Sequence, residues 1–454
     1  MLIPNDHLYR KSAALLIVAA VALSAETRAA DPLPDRDAAR AAILGPQNGD
    51  GPTDHEIRKF QAKIKEGRDA NAYFIRLGWA FVSKARISSD PGYYKLAEIC
   101  AQSVTDADDS DALLLRGHIA HALHRFADAE AIARKLTDAP HARWESFALL
   151  GDAQMEQGKL EKAIAAYQRM IDIRPCLQTY ARVAHVRWLK GDLDGAIELM
   201  ERAVKAGSTR EPEPAAWAYT RLGMYQLQGG RASEAAWSAH RASEFLPDYP
   251  VTLFLQAKLL FNEQKSADAV IAMKRALAAA PLPEYQWFLA DVARAAGDDE
   301  LAGKSEAAIR NRGKAEDARS VALFLATRNQ GANEALELAR QELEKRQDVF
   351  TYDAMAWAAF SAGILPEAKS NIERALSAGT IDARLFYHAG KIAFASGDKE
   401  AAARWFARTM TIQQMLLPSE RADLLQQIGS TQEKALTLSS IPTPTPQLAV
   451  TGHK

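Results

Sequence analysis

The 454-residue chain has few of the raw materials from which most active centres are built. Two cysteines are too few for a disulfide framework or a multi-cysteine zinc or iron–sulfur site. Neither sign of charge dominates. The 56 basic and 57 acidic residues leave a net charge of −1, whereas a nucleic-acid partner would select a visibly basic domain. Beyond the N-terminus no apolar run approaches the ~18 residues of a membrane-spanning helix, so no span is expected in the mature chain. A glycine-rich phosphate loop, a nucleophile elbow and an HExxH pair are all missing from the sequence, as are convincing strand patterns for an α/β core. Neither an enzyme nor a bound cofactor is expected.

What is present begins with a basic end, Arg10 and Lys11, followed by an uncharged, mostly apolar run from Ser12 to Ala25. A helix of that length spans roughly 21 Å, short of a ~30 Å hydrocarbon core. Thr27-Arg28-Ala29 then offers small residues at −3 and −1 of a cleavage site. Residues 1–29 read as a secretory signal peptide, which places the mature chain in the periplasm of a Gram-negative cell or otherwise in the medium. Cys100 and Cys176 are expected to be small buried side chains rather than a pair.

The rest of the chain is periodic. Alanines inside successive second amphipathic runs, Ala97, Ala129, Ala163, Ala196, Ala235, Ala269, Ala302, Ala335, Ala368 and Ala402, stand 33 or 34 residues apart in seven of nine intervals. Twelve residues before the last nine of them, eight positions are Gly or Ala, and five residues before them six are Gly. Such a period is the signature of a stacked repeat. Each unit reads as a helix hairpin. A first helix carries large apolar residues on one stripe, a glycine ends it in the left-handed conformation, and a second helix follows at once. The paired small residues let the two backbones approach closely. Pro175, Pro247 and Pro281 fall where second helices must stop.

Residues Trp144 to Pro175 (WESFALLGDAQMEQGKLEKAIAAYQRMIDIRP) resemble the tetratricopeptide repeat family almost throughout, with Leu150-Gly151, Gly158, Ala163, Tyr167 and Pro175 in the family's places. The resemblance covers residues 71–411 and implies an all-α, right-handed superhelical solenoid of about ten hairpins. Tyr180 to Gly223 are also similar to exported bacterial members of the family without an assigned activity. Around the array, residues 30–52 read as a linker, 53–70 as an N-terminal capping helix, 412–438 as a C-terminal capping helix and 439–454 as a disordered tail.

In a stacked solenoid the first helices line the concave side. Positions around the small residue should therefore face a groove: Trp79, Trp188, Trp217, Phe254, Lys258, Phe261, Trp287, Phe324, Trp357, Phe360, Tyr387 and Phe394. Large rigid rings with scattered charges suit a partner peptide or helix. Scattered Lys258, Arg294, Arg328 and Lys391 do not make a carboxylate clamp. The expected function is a non-catalytic protein-interaction scaffold with a protein or peptide partner, or, as a variant, a component of an envelope or polysaccharide export assembly. The alternative is metal binding or delivery. His118 and His121 share a helix face, His185 lies two units on, and Asp152 or Glu156 is the nearest candidate for a further ligand.

Overall fold

The alanine–glycine period becomes ten antiparallel helix pairs. The computed structural model describes residues 36–67, 70–88 and 90–439, and among them every regular element is helical. Of the stretches read as a signal peptide (1–29) and a disordered tail (439–454), all but Ser439, the last residue of the final helix, lie outside the described residues. Two helices precede the array, α1 (Arg36–Leu44) and α2 (Pro52–Lys65). The first five pairs are α3 (Ala70–Ser88) with α4 (Gly92–Gln102), α5 (Ser110–Ala122) with α6 (Phe126–Thr137), α7 (Trp144–Glu156) with α8 (Leu160–Ile173), α9 (Leu177–Leu189) with α10 (Leu193–Lys205), and α11 (Pro212–Gln228) with α12 (Ala232–Phe245). The second five are α13 (Pro250–Asn262) with α14 (Ser266–Ala279), α15 (Pro283–Ala295) with α16 (Asp299–Glu316), α17 (Ala318–Thr327) with α18 (Ala332–Lys345), α19 (Val349–Ser361) with α20 (Leu365–Leu376), and α21 (Ala383–Ala395) with α22 (Lys399–Met410). A short 3-10 turn (Gln413–Met415) leads into α23 (Pro418–Ser439). Each first helix packs on its own second helix, and each second helix on the next pair.

The small side chains do what the spacing implies. All ten anchor alanines are at most 2% exposed. A Cβ added at Gly151 would overlap the Tyr167 ring, and one at Gly390 would overlap Phe406. The close approach at Gly151 is therefore filled by the tyrosine of the facing helix, one turn beyond Ala163. Gly158, Gly191, Gly230, Gly297, Gly363 and Gly397 all have φ between 72° and 83°. Two repeats that lack the glycine adopt the same left-handed conformation on His124 (φ 57°) and Gln264 (φ 63°). His124 thus serves as the residue that ends α5.

The stretch expected as a linker is partly ordered, and that reading needs correction. Arg36–Leu44 is helical, Ile43 is fully buried, and the Gln61 amide of α2 donates to the Ile43 carbonyl at 2.9 Å and the Gly45 carbonyl at 2.8 Å. One apolar side chain and two carbonyl bonds anchor a segment whose composition is otherwise that of a loop.

Candidate functional site

The inner face is where the structure and the sequence reading part. Of the twelve residues read as lining a groove, Trp188, Trp217, Phe254, Lys258, Trp287, Phe324, Trp357 and Tyr387 are buried within the chain itself. Trp79, Phe261 and Phe360 are half-buried. Phe394 alone among them is exposed, at 43%. Much of this covering comes from neighbouring repeats. Trp79 lies 5.0 Å from His118, Phe254 lies 5.0 Å from Tyr285, Trp287 meets Phe324 edge-on at 5.7 Å, and Trp357 stacks on His388 at 3.9 Å and Phe360 at 4.9 Å.

The remainder comes from far along the chain, because the array coils back on itself. Loops late in the sequence dock on the ends of first helices early in it. The Gln347 N–H donates to the Glu156 carbonyl at 2.9 Å, and the Thr380 hydroxyl to the Leu189 carbonyl at 2.7 Å. The Gln414 amide donates to the Leu227 and Gln228 carbonyls at 3.1 and 3.0 Å. The last carbonyls of a helix have no partner within it, so these contacts are caps supplied from a distant unit. Arg346 pairs with the Glu156 carboxylate at 2.7 Å, and Phe350 stacks on Trp188 at 5.8 Å. Lys258 donates to the Met415 carbonyl at 3.2 Å while lying over the Phe254 and Phe288 rings, and burial pushes its pKa down to about 8. Two of the helix-ending glycines take part. A Cβ on Gly158 would stand 2.6 Å from the Gln347 carbonyl, and one on Gly191 2.7 Å from the Gly379 carbonyl, whereas at Gly230, Gly297, Gly363 and Gly397 it would meet nothing. None of this could be read from the repeat. Local spacing fixes how neighbours nest, while contacts five units apart depend on the pitch of the whole coil.

Inside the early units the polar residues form a buried network. Asp152 accepts from Arg182 at 2.8 and 2.7 Å and from the Tyr167 hydroxyl at 2.7 Å. The guanidinium and hydroxyl hold the Asp152 carboxyl below its ordinary range against burial, which acts in the opposite direction. Arg182, which the sequence reading did not single out, is the counter-charge. His118, His121 and His185 are buried, and loss of solvent lowers their pKa values to about 3, 4 and 3, so all three are neutral. Among the described residues His118 Nε2 and both nitrogens of His121 have no hydrogen-bond partner.

These residues do not fit a metal site. A useful transition-metal site wants a third ligand and supporting partners. Asp152 is committed to Arg182 and Glu156 to Arg346, so neither candidate is free to join the histidines. Among the described residues no three His, Cys, Asp or Glu side chains converge as such a site requires. Cys100 is buried, Cys176 is half-buried, and both are free thiols.

The sequence model of the tetratricopeptide repeat matches residues 114–175, 184–250 and 354–412. These three stretches are tetratricopeptide repeats. The matched stretches are hairpins two and three, four and five, and nine and ten of the array. No curated protein matches the sequence. Among solved structures, the tetratricopeptide-repeat array is similar to a chain in the crystal structure of the APC/C hetero-tetramer Cut9–Hcn1, with 15% identity over 85% of this chain and 79% of that one at a TM-score of 0.44. It is also similar to a tetratricopeptide repeat protein from Parabacteroides merdae, with 20% identity over 55% of this chain and 97% of that one at a TM-score of 0.31. Among the described residues no helix is long and apolar enough to cross a membrane.

Proposed function

We propose that the protein is an exported, non-catalytic interaction scaffold that holds a partner peptide or helix against the inner face of its repeat array. The observation that carries this reading is the uncovered aromatic edge at the C-terminal end of that face. Phe394 is 43% exposed, Phe360 is half-buried on Trp357, and Lys391 lies one helical turn from Phe394 with its ammonium on Asp423 at 2.8 Å. An exposed ring on α21, with a rigid stacked ring on α19 of the preceding hairpin and a charged rim, suits a binding hot spot. Trp79 and Phe261 offer half-covered rings elsewhere on the face. Export rests on the basic, apolar and small-residue order of residues 1–29, and an envelope assembly is the setting such a scaffold would serve.

Two measurements test the proposal. Fractionation of the source cell with N-terminal sequencing should find the mature chain outside the cytoplasm, beginning at Ala30. A cytoplasmic chain retaining Met1 would remove the export claim. Affinity capture from an envelope extract should retain the same specific proteins with the wild type and lose them with Phe360→Ala/Phe394→Ala at unchanged helical circular dichroism. Equal capture by both would remove the aromatic edge as the binding surface.

A further inference from the structure

The contacts between early and late units have a consistent chemical direction. The early side consists largely of acceptors: the carbonyl ends of α7, α9 and α11, the Glu156 carboxylate, and Asp291, which accepts from the Ser419 N–H at 3.0 Å. Helix C-termini carry about half a negative charge each, and three of them, with the Glu156 carboxyl that meets Arg346, make one acceptor rim, while Asp291 on α15 is already paired with Arg328. The late side supplies the donors: Arg346, the Gln347 N–H, the Thr380 hydroxyl, the Gln414 amide and Ser419. Three bonds run the other way, from Gln228 to the Ile381 carbonyl at 2.6 Å, from Lys258 to that of Met415 at 3.2 Å and from Asn262 to that of Gln414 at 3.1 Å. Phe350 on Trp188 is the ring–ring contact between the two sides.

A seam of this kind differs from the packing inside the array. Hairpins nest by burying small and aromatic side chains, whereas the seam joins loop atoms to helix ends. In a solenoid each repeat is stabilised by its sequential neighbours, so the seam can part while every hairpin stays stacked. We propose that this rim is a second interaction surface, held closed by the chain's own loops, and that it takes a cationic, amide-rich segment carrying one aromatic residue. The segment from Lys345 to Tyr352 (KRQDVFTY), which joins the end of α18 to the first turn of α19, is the internal copy of that ligand: Arg346 answers Glu156, Gln347 caps α7, and Phe350 covers Trp188. This rests on reading the array as a protein-interaction scaffold and adds a site and a recognition chemistry to it.

The test uses the full mature chain and a fluorescein-labelled peptide KRQDVFTY. Phe350→Ala/Gln414→Ala removes the ring and an amide clasp from the late side only. The peptide should bind this variant at least tenfold more tightly than the wild type by fluorescence anisotropy, and binding should weaken with salt. A peptide carrying Glu in place of its arginine should lose at least tenfold. If the double variant does not fold, Gln414→Ala alone, which truncates no buried ring, should show the same order of affinities. Equal binding to wild type and variant, or undiminished binding of the charge-reversed peptide, would overturn the proposal. Capture through Phe360 and Phe394 that persists in that case leaves the scaffold reading standing, so the two fail separately.

Discussion

Lowering the pH should destabilise the array through three histidines, and the size of the effect follows from their burial. His118, His121 and His185 are neutral in the folded chain, with pKa values lowered to about 3, 4 and 3 by loss of solvent, while an unfolded histidine titrates near ~6.5. The sign follows from proton uptake. Above ~6.5 neither state is protonated at these sites and they cost nothing; below it the unfolded chain binds protons that the folded chain refuses. Stability therefore falls from about pH 6.5 downward until the folded values are reached, by ~1.4 kcal/mol per pH unit for each histidine. At pH 5 this is ~2 kcal/mol each and ~6 kcal/mol for the three, against a typical total of ~5–15 kcal/mol. Urea unfolding followed by circular dichroism at pH 7.5 and 5.0 measures the pH dependence, and His118→Gln/His121→Gln/His185→Gln should remove the ~6 kcal/mol that these three contribute. Parallel pH dependence in wild type and variant between pH 5 and 6.5 would refute the reasoning, because the three rings would then be titrating in the folded state.

Other consequences concern single sites. Gln264→Gly relieves a left-handed residue on an exposed turn and should raise stability by ~0.5–1 kcal/mol in urea unfolding. Gly151→Leu drives a side chain into the Tyr167 ring and should cost ~1–3 kcal/mol or more, with the loss seen in the same assay. Arg182→Met leaves the buried Asp152 carboxylate without its counter-charge and should cost ~3–5 kcal/mol, much of it recovered by Arg182→Met/Asp152→Asn.

The hairpins were legible because each depends on residues close in sequence. Gly158 and Ala163 specify one turn and one contact whatever lies elsewhere, and the same pair of signals recurs unit after unit. Where a repeat departs from the pattern, as at His124 in place of the usual glycine, the substitute residue still serves the backbone. The helix at Arg36–Leu44 was hidden by the surrounding Pro, Gly and Asp. Inner-face aromatics were legible as a stripe but not as buried, since Trp287 and Trp357 are covered by rings of the next repeat and Trp188 by Phe350 only after the array has coiled. Charge pairing across units, as in Asp152 with Arg182, was missed for a related reason: each member alone resembles a solvated residue on a helix.

The coil's return onto itself is the claim on which the inner face, the seam and the second surface all depend, and two glycine substitutions isolate it. Gly158→Ala and Gly397→Ala impose the same left-handed strain (φ 72° and 83°), but only the first places a methyl against Gln347. Native-state hydrogen exchange at the Gln347 amide, bonded to the Glu156 carbonyl, should accelerate at least tenfold in Gly158→Ala and stay at the wild-type rate in Gly397→Ala. An unprotected Gln347 amide in the wild type, or equal exchange in both variants, would contradict the coil.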